Sequence, residues 1–474
     1  LLATWGSLPP DDLIATVTAF AADAIALNIA RFVVPRHAID EVVASGGGVH
    51  NPTLMRRLAS AVAPLRVRPI DEFGVPSDAK EALAFALLGH ASLMGRPGNL
   101  PRVTGARHAD GAVSGRLGEV RRLLEDGVDR AYPGAVLEVH HRGEAVIRWA
   151  VGSRSLVPAR TPAAPDTVYD LASLTKVVVT VPLILQAAAE GRVRLDDPVA
   201  AYLPEAAAPA ITLRHLLAHS SGLPAWIPFY LEAAGYDAVV ARAARTPAAA
   251  APDTQVVYSD LGFILLGEVA RRALGAPLDL LARRRIFAPI GMADTAYLPA
   301  PALRDRIAPT EDGTAIEQTM AGDAGRRHTW RRYLIWGEVH DSNAHAMGGV
   351  AGHAGVFGTA DDLLAYVRMW LAGGRTPRGE VLPPDLVREA TAAQAPARTR
   401  GLGWALSGPQ GWWGDSLSPR AYGHTGFTGT SIVIDPEHDL AIVLLTNAIH
   451  LGRDRTEILT LRPKIAAAVA AALL

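Results

Sequence analysis

The spacing of apolar and polar residues predicts a strand, a loop and a helix early in the chain. An apolar strand begins at residue 41 and ends at three consecutive glycines, Gly46, Gly47 and Gly48. A helix then covers residues 51–58, with Asn51 as its N-terminal cap and a proline in its first turn. A strand, a glycine loop and a helix N-terminus in this order form a cradle for a nucleotide or another anion, and a tight structural turn has the same pattern.

The pattern from residue 118 onwards predicts a larger unit of helices and strands. Its predicted elements are a helix over residues 118–131, a hairpin over 134–151, a buried helix over 177–189, a helix from 261, strands within 432–446 and an alanine-rich helix over 461–474. Arg142 and Gly143 form the predicted hairpin turn. Between the two parts of the chain, the polar, small-residue stretch 106–115 predicts a linker.

Lysine is rare in this sequence, which makes the position of one lysine informative. The chain has three lysines and 43 arginines, and Lys176 follows Ser173 by three positions. An ammonium can lose its proton near neutral pH and a guanidinium cannot, so a retained lysine indicates proton-transfer chemistry. Residues i and i+3 share a helix face, and Lys176 can therefore reach the Ser173 hydroxyl and accept its proton.

The surroundings predicted for this pair favour an activated serine. The helix that follows is apolar, so Lys176 is expected to be buried, and burial lowers the pKa of a lysine. Ser173 is expected at the helix N-terminus, where the helix dipole stabilises developing negative charge. A second serine and lysine with the same spacing, Ser77 and Lys80, precede a helix predicted over residues 81–93, and there Ser77 fits a helix cap.

Further groups suited to acyl transfer follow Ser173 in the chain. Tyr258 lies two residues before Asp260 at the start of an apolar helix, and a tyrosine beside a lysine can relay a proton. The run His424-Thr425-Gly426 precedes a strand. A glycine at a strand edge lets a substrate backbone approach closely, and the neighbouring amides can bind an oxyanion.

With these motifs, residues from about 117 to 474 resemble the serine beta-lactamase and penicillin-binding-protein superfamily, in the branch of class C enzymes, esterases and D-aminopeptidases. Its three motifs are S-x-x-K, Y-x-N and K-T-G, and the present chain has their counterparts in the same order. Stretches 211–224, 286–292 and 444–447 also resemble the family. The resemblance implies an antiparallel sheet flanked by helices together with a helical lobe, with the serine between them.

The resemblance also implies roles for the motif residues. Ser173 would be the nucleophile, Lys176 its general base and Tyr258 the proton shuttle to the leaving group. The backbone amides of Ser173 and Phe427 would form the oxyanion hole. Taken singly, the same side chains could cap a helix, fill a core or face out from a strand. The residues assigned to catalysis are Ser173, Lys176, Tyr258 and His424, and those assigned to oxyanion or substrate binding are Phe427, Asp260, Thr425 and Gly426.

Two residues depart from the family motifs, and both change the electrostatics of the site. His424 replaces the lysine of K-T-G; a histidine is mostly neutral at pH 7, so it attracts a substrate carboxylate less, and this attraction should fade as the pH rises. Asp260 replaces the asparagine; its charge can pair with Lys176, favour the charged lysine and repel an anionic substrate. Esters, or amides of D-amino acids, are therefore expected to fit better than penicillins, and a cephalosporin turnover comparable with dedicated lactamases would contradict this expectation.

Residues from about 10 to 116 resemble the C-terminal part of anhydro-N-acetylmuramic acid kinase, through stretches 71–75, 78–86 and 98–106. The resemblance implies part of an actin-like sugar kinase whose adenosine-side loop is Gly46, Gly47 and Gly48. The family's upstream Gly-Thr-Ser-x-Asp-Gly loop and a candidate catalytic aspartate are not found in the sequence, which begins at Leu1. We therefore expect a fragment of a fusion between this kinase and the hydrolase. ATP would be a cofactor only with a complete kinase, and no cofactor is expected for the hydrolase.

The fold class expected from both resemblances is α/β and α+β. The expected boundaries are 1–110 for the kinase-like part, 111–116 for the linker and 117–474 for the beta-lactamase-like part. With 49% hydrophobic and 20% charged residues, the composition is that of a globular enzyme.

Charge and cysteine content exclude several partners and chemistries. A formal net charge of −1 provides no field for nucleic acid, and a chain without cysteine has no disulfide or thiol chemistry. We recognise no signal peptide and no apolar run of 18 residues, so no membrane segment is expected. Association with a recycling kinase favours a cytoplasmic location, and the expected partner is a small-molecule or peptide substrate, such as a cell-wall fragment.

Two histidine groupings are interpreted as structural, and no metal site is expected. His215 and His219 have a zinc-like spacing but lack the catalytic glutamate of zinc hydrolases, so packing or capping is favoured. The glycine-rich stretch 339–353 gathers further histidine and aspartate residues and is interpreted as a wall of the substrate cleft.

Two classes of function remain open from the sequence. The first is a serine hydrolase that acts through an acyl-serine on an ester or amide from the cell wall. The second is a catalytically weak module that binds muropeptides beside the kinase, and in a complete parent protein the kinase itself could be the main activity. Intact Ser173, Lys176 and Tyr258 favour the hydrolase, whereas Asp260 and His424 keep the binding module open.

The incomplete kinase motif predicts that the chain does not phosphorylate sugar by itself. Purified protein incubated with ATP and 1,6-anhydro-N-acetylmuramic acid should give no phosphorylated sugar by mass spectrometry, because the phosphate loop and the catalytic aspartate are both missing. A complete kinase of the family serves as the positive control. Clear phosphorylation by the chain alone would contradict the prediction.

Overall fold

The structure, a computed structural model, describes residues 9–35, 38–79, 82–84, 86–87 and 117–474, except residues 209, 395, 397, 398, 409, 410 and 453–455. The chain divides into two units, Leu1–Ala112 and Val113–Leu474. The predicted linker 111–116, the kinase-like stretch 98–106 and Lys80 lie outside the described residues. Of the helix predicted over residues 81–93, residues 82–84 and 86–87 are described and are helical.

The first unit contains a pair of parallel strands and two longer helices. Its elements are helix α1 (Pro10–Asn28), strand β1 (Glu41–Ala44), helix α2 (Pro52–Ala61) and strand β2 (Arg66–Pro69), with short 3-10 turns at Gly47–His50, Ile70–Phe73 and Ser77–Ala79. Val42 of β1 is paired with Val67 of β2. A small core of Ala22, Ala26, Leu58 and Val62 holds α1 against α2.

Helix α1 continues into a wider π turn, and the combined segment is unusually apolar. Among the described residues, Asp11–Val33 is the one helix that is long and apolar enough to cross a membrane, and only 11% of its most apolar stretch is buried. This finding corrects the expectation that no such apolar run is present. A core helix and a signal sequence pass the same test of length and composition, so the segment does not establish a compartment.

The second unit combines a seven-stranded antiparallel sheet with many helices. Its helices are α3 (Gly118–Asp126), α4 (Val181–Ala189), α5 (Leu213–Leu217), α6 (Tyr236–Arg245), α7 (Asp260–Leu274), α8 (Leu278–Ala282), α9 (Ala288–Ile290), α10 (Ala315–Ala321), α11 (Ser342–Ala346), α12 (Ala360–Leu371), α13 (Pro384–Ala390) and α14 (Thr456–Leu473). Its strands are β3 (Gly134–His141), β4 (Glu144–Ser155), β5 (Thr161–Pro162), β6 (Tyr169–Asp170), β7 (Ala296–Tyr297), β8 (Val356–Gly358), β9 (Arg375–Thr376), β10 (Gly379–Glu380), β11 (Ala405–Leu406), β12 (Tyr422–Thr425), β13 (Ser431–Asp435) and β14 (Leu440–Thr446).

The order of the strands brings the two ends of this unit together. The large sheet has the order β11-β12-β13-β14-β3-β4-β5, so the hairpin β3–β4 pairs with the late strand β14. Arg142 and Gly143 form the hairpin turn with φ angles of 50° and 83°, as predicted. A small sheet with the order β6-β8-β7 lies within the helical part, and β9 and β10 form a separate hairpin.

Both faces of the large sheet are covered, which explains its continuous apolar strands. Because side chains alternate along a strand, Ala441, Val443 and Leu445 of β14 join the core shared with the helical lobe, whereas Ile442 and Leu444 join the core under α3 and α14. Every residue of β14 is buried in consequence. The antiparallel sheet flanked by helices and the helical lobe are thus present as expected.

Two predicted helices have different ends in the structure. Helix α3 ends at Asp126 and not at residue 131, because the chain turns at Gly127 so that the Tyr132 hydroxyl donates to the Leu124 carbonyl (2.8 Å). A Cβ at Gly127 would lie 2.5 Å from the Tyr132 oxygen, so glycine is required there. The terminal helix begins at Thr456, before the predicted residue 461.

The glycine-rich stretch before β8 packs directly against α7. Gly352 approaches Gly267 so closely that a Cβ on Gly352 would lie 2.8 Å from the Gly267 Cα and 2.2 Å from the Phe263 carbonyl oxygen. The Gly352 carbonyl accepts a hydrogen bond from Thr180 at 2.6 Å. Two glycines therefore set the distance between this loop and the helix.

We expect Gly352→Ala to destabilise the protein by about 1–3 kcal/mol, because an added methyl in a filled interior forces the backbone apart. The measurement is the shift in the urea midpoint of unfolding. Gly118→Ala is the matched control, since Gly118 begins α3 with open space around its Cα, and its midpoint should stay or rise slightly. Equal midpoints for the two variants would contradict the close packing.

Candidate active site

A strained turn after β6 presents Ser173. Ala172 has a φ of 47°, a conformation that a residue with a Cβ rarely adopts. The buried carboxylate of Asp170 holds this turn, because it accepts hydrogen bonds from the backbone amides of Ala172 (2.9 Å) and His340 (2.8 Å). The helical segment begins at residue 174, so Ser173 lies at its N-terminus and is partly exposed.

Lys176 is fully buried and has three oxygen neighbours for its three ammonium protons. Its Nζ atom donates to the Ser173 Oγ at 2.9 Å and to the His353 carbonyl oxygen at 3.1 Å. The third neighbour is an Asp260 carboxylate oxygen, 2.7 Å away. Ser173 and Lys176 therefore share one face of the turn, as the i+3 spacing predicts.

The charge state of Lys176 differs from the expectation based on burial alone. Burial acts to lower its pKa, but Asp260 and Tyr258 outweigh burial and raise the pKa to about 12. The prediction of a lowered pKa is therefore wrong, because the acceptors around Nζ stabilise the ammonium more than burial destabilises it. At neutral pH the resting lysine is a cation that donates to Ser173.

The motif at residues 258–260 places a tyrosine and an aspartate on either side of the N-terminal cap of α7. The Ser259 hydroxyl accepts from the Gly262 amide (3.3 Å) and donates to the Pro224 carbonyl (2.7 Å), which fixes the start of the helix. Asp260 follows as the first helical residue, and negative charge is favourable there. The pairing of Asp260 with Lys176 was anticipated from the sequence.

The Tyr258 ring lies between charged and aromatic neighbours. Its centroid is 4.5 Å from the His219 ring and 5.0 Å from the Lys176 Nζ. Burial raises the pKa of Tyr258, while the nearby Lys176 and Ser173 oppose that rise. The tyrosine is thus a neutral phenol at rest, and its buried hydroxyl has no hydrogen-bond partner among the described residues.

His424 is a neutral hydrogen-bond acceptor and not a cation. Its Nδ1 atom donates to the Thr425 carbonyl at 2.8 Å, which leaves Nε2 without a proton, and among the described residues the buried Nε2 has no partner. Burial, followed by the charges of Lys176 and Arg400, holds the pKa of His424 well below its ordinary value. The sequence predicted an attraction to carboxylates that fades as the pH rises. That prediction is wrong, because the imidazole is already uncharged across the neutral range.

Two threonine hydroxyls of the turn between β12 and β13 bind backbone carbonyls of the Ser173 turn. Thr430 and Thr428 donate to the carbonyls of Leu171 (3.2 Å) and Asp170 (2.7 Å). A Cβ at Gly426 would lie 2.1 Å from the Thr430 Oγ1, so only glycine fits between the two turns. Thr425 precedes this glycine at the end of β12.

Helix α14 stabilises the same turn through a buried arginine. Buried Arg462 donates to the carbonyls of Gly426 (3.1 Å) and Thr430 (3.0 Å). The ring of Phe427 stacks on His340 at 5.6 Å. The structure therefore brings together Ser173, Lys176, Tyr258, Asp260, His424, Thr425, Gly426 and Phe427.

Two regions of the chain match known protein families. Residues 120–467 match the family model described as Beta-lactamase. The chain belongs to the beta-lactamase family. A second model, anhydro-N-acetylmuramic acid kinase, matches residues 2–115 and indicates a kinase-like domain in the first unit of this beta-lactamase-family chain. Both resemblances drawn from the sequence are confirmed.

Two relatives of this beta-lactamase-family chain are named as a carboxypeptidase and an amidase. The "Putative D-alanyl-D-alanine carboxypeptidase" of Escherichia coli (strain K12) is 32% identical over 367 residues, covering 71% of this chain and 83% of that protein. The N-acetylmuramyl-L-alanine amidase of Bacillus subtilis (strain 168) is 31% identical over 389 residues, covering 74% of this chain and 86% of that protein.

Solved structures share the beta-lactamase fold. A penicillin-binding protein homologue from Caulobacter crescentus superposes with a TM-score of 0.59 at 22% identity, covering 76% of this chain and 98% of its own. A class C beta-lactamase from Rhodobacter sphaeroides superposes with a TM-score of 0.56 at 21% identity, covering 74% of this chain and 98% of its own.

A buried histidine–aspartate pair beside Lys176 was not assigned from the sequence. The His353 Nε2 lies 2.9 Å from an Asp341 oxygen, while the His353 carbonyl accepts from Lys176. Burial acts to raise the pKa of Asp341, but His353 and the Ala344 amide hold it below its ordinary value. The glycine-rich stretch 339–353, which contains both residues, was interpreted as a wall of the substrate cleft. Its glycines are the sequence signal that could have located the pair.

The histidines considered for metal binding have other partners. His215 caps α5, since its Nδ1 accepts from the Thr212 amide (3.1 Å), and its Nε2 lies 3.2 Å from Asp253. The His219 Nδ1 accepts from the Ser259 amide at 3.1 Å. Within the part of the chain that the structure describes, no group of three or more histidine, aspartate or glutamate side chains could hold a metal ion.

The second serine–lysine motif and the glycine loop lie in the kinase-like unit. The Ser77 amide and hydroxyl both donate to Asp71, and its role as a helix cap stays a prediction. Gly46 has a φ of 83° and leads into the 3-10 turn at Gly47–His50. Asn51 caps α2 as predicted by accepting from two amides of its first turn, which leaves fewer donors there for an anion. Nucleotide binding by Gly46, Gly47 and Gly48 stays a prediction.

We expect Asp260→Asn to move the pH dependence of Ser173 labelling to lower pH. Asp260 is the largest influence that raises the pKa of Lys176, so without this carboxylate the pKa falls and the neutral lysine becomes available at lower pH. The measurement is the rate of labelling by a fluorophosphonate between pH 6 and about 11. The exposed Asp385, changed to Asn, is the control and should leave the profile in place; an unmoved profile in Asp260→Asn would show that the ion pair does not set reactivity.

Proposed function

We propose that this chain is a serine hydrolase that forms an acyl-serine at Ser173 and acts on an ester or amide of a cell-wall fragment. The observation that carries the proposal is the 2.9 Å contact between the Ser173 Oγ and the Nζ of a fully buried lysine, with Tyr258 close to both. A structural serine does not need a buried ammonium beside it, since burying that charge is costly. The names of the two cell-wall relatives support the substrate class.

In this proposal, the reactive form has lost one proton from the Lys176–Tyr258 pair. The neutral Lys176 then takes the Ser173 proton as Oγ attacks the substrate carbonyl carbon, and the amides of Ser173 and Phe427 stabilise the oxyanion. The proton passes through Tyr258 to the leaving amine or alcohol as its bond to the carbonyl carbon breaks. Water then attacks the acyl carbon and gives a proton to the same pair. The bond between that carbon and the Ser173 Oγ breaks, the pair returns the proton to Oγ, and the acid is released.

The charge on Lys176 makes this reactive form scarce at neutral pH. Forming the neutral lysine carries a free-energy cost at neutral pH, because Asp260 and Tyr258 raise the pKa of Lys176. A substrate that donates a hydrogen bond to Asp260 would weaken the ion pair and lower this cost. We therefore propose that substrate binding, and not the resting site, activates the serine.

The same ion pair favours a second candidate function. A lysine held as an ammonium by Asp260 at 2.7 Å cannot accept a proton, so the cleft could bind a muropeptide without turning it over. In that case His424, Gly426 and the glycine-rich wall would form a recognition surface. Covalent chemistry at Ser173 distinguishes the two functions.

We expect a fluorophosphonate and a 4-nitrophenyl ester each to add once to the wild-type protein and not to Ser173→Ala. The measurement is the intact mass of the protein after exposure, with a penicillin as a third reagent to rank lactam against ester chemistry. Ser77→Ala is the matched control, because Ser77 belongs to the other serine–lysine motif and should label as the wild type does. If the folded wild type carries no adduct, the binding module becomes the better description.

A further inference from the structure

The loop that runs from residue 340 to residue 353 contacts both members of the serine–lysine pair. At its first end, the His340 amide donates to the Asp170 carboxylate at 2.8 Å, and that carboxylate holds the Ser173 turn. At its last end, the His353 carbonyl accepts a hydrogen bond from Lys176 at 3.1 Å. The position of one end of this loop relative to the other therefore bears on the position of the nucleophile relative to its base.

A hydrogen bond between two side chains closes this loop. The His353 Nε2 lies 2.9 Å from the ionised Asp341 carboxylate, and because such a carboxylate only accepts, the imidazole is the donor. The same Asp341 oxygen accepts from the Ala344 amide at 2.7 Å, so the carboxylate is also the N-terminal cap of α11. Beyond α11 the chain turns back at Gly348 and Gly349, whose φ angles are 82° and 84°. The histidine–aspartate pair therefore joins the two ends of the loop.

The orientation of the His353 carbonyl depends on this pair. Thr180 donates to the Gly352 carbonyl at 2.6 Å, and that contact positions the peptide before His353. The carbonyl that Lys176 uses belongs to the next peptide. Among the described residues, Asp341 is the one hydrogen-bond partner of the His353 ring, since the buried Nδ1 has none.

Burial favours an orienting role for the pair. The His353 side chain is 1% exposed and the Asp341 side chain 22% exposed. An apolar contact of the same shape would close the loop at least as stably, because polar groups lose their hydration on burial. A hydrogen bond adds a fixed direction, which an apolar contact does not.

We propose that Asp341 and His353 are a positioning pair, whose hydrogen bond holds the His353 carbonyl on the Lys176 ammonium and thereby fixes this lysine against Ser173. The inference rests on the proposed hydrolase function. Within the described part of the chain, neither side chain of the pair hydrogen-bonds to the Ser173 hydroxyl, so the pair acts through the lysine. A displacement of reacting groups by about 1 Å can lower a rate by about 100-fold. Loss of the pair is therefore expected to slow the chemical step and to leave substrate binding in place.

The first test compares two variants of His353 with similar volumes. Leucine fills the space of the imidazole but cannot donate to Asp341, whereas glutamine carries an N–H group in place of the ring Nε2–H. We expect His353→Leu to lower kcat for a 4-nitrophenyl ester at least about tenfold while KM stays within about threefold, and His353→Gln to recover most of that loss. The proposal is overturned if His353→Leu keeps the wild-type kcat, if its loss is confined to KM, or if His353→Gln is as slow as His353→Leu.

The second test asks whether the two residues act as a unit. Asp341→Ala should lower kcat about as much as His353→Leu, and the double variant should be little slower than either, because both changes remove the same hydrogen bond. Asp341→Asn keeps an acceptor oxygen and should retain most of kcat. Losses that multiply in the double variant would contradict a shared role.

A histidine–aspartate pair at the other end of β13 provides the control. His438 lies 2.8 Å from Asp435 at the turn between β13 and β14, and β13 separates this turn from the one beside Ser173. His438→Leu should keep kcat within about twofold of the wild type. Rates are compared per mole of folded protein, with the urea midpoint of each variant as the measure of folding.

Failure of this inference differs from failure of the proposed function. A wild type without ester turnover and without fluorophosphonate labelling would remove the hydrolase function itself. An active wild type whose His353 and Asp341 variants keep its kcat would remove the positioning pair alone.

Discussion

A buried ammonium needs an acceptor for each of its protons, and the architecture around Lys176 is organised by that need. The acceptors come from three distant parts of the chain: the Ser173 turn, the loop before β8 and the first residue of α7. Each part is held by its own constraint, namely the Asp170 carboxylate, the glycine contact between Gly352 and Gly267, and the Ser259 cap. The lysine therefore joins the small sheet, the glycine-rich wall and the helical lobe at one point.

The charges of the site distinguish this chain from the motif pattern of its family. An aspartate pairs with the lysine at 2.7 Å, and a neutral histidine on β12 stands where the family motif has a lysine. Asp260 thus acts on the protonation of Lys176, whereas His424 contributes an uncharged hydrogen-bond acceptor. Two substitutions in the motifs can thus change specificity while the backbone of the site stays in place.

Local features of the sequence predicted much of what lies close in the chain. The i+3 spacing placed Ser173 and Lys176 together, Arg142 and Gly143 marked the hairpin turn, and Asn51 marked a helix start, because each depends on neighbouring residues alone. The net direction of the Lys176 pKa could not be inferred in this way, because burial opposes Asp260 and Tyr258, and the balance between them depends on the folded site. The end of α3 could not be predicted from local spacing either, because it depends on the Tyr132 hydroxyl.

The strand order of the second unit also determines when the domain can fold. The hairpin β3–β4 is synthesised long before its neighbour β14; His140 and Asp439, which meet across this seam, are 299 residues apart. The nascent hairpin therefore has an open, apolar edge until β14 has left the ribosome. Pairing at such a distance is slow, and an unpaired strand edge is prone to aggregation until its neighbour arrives.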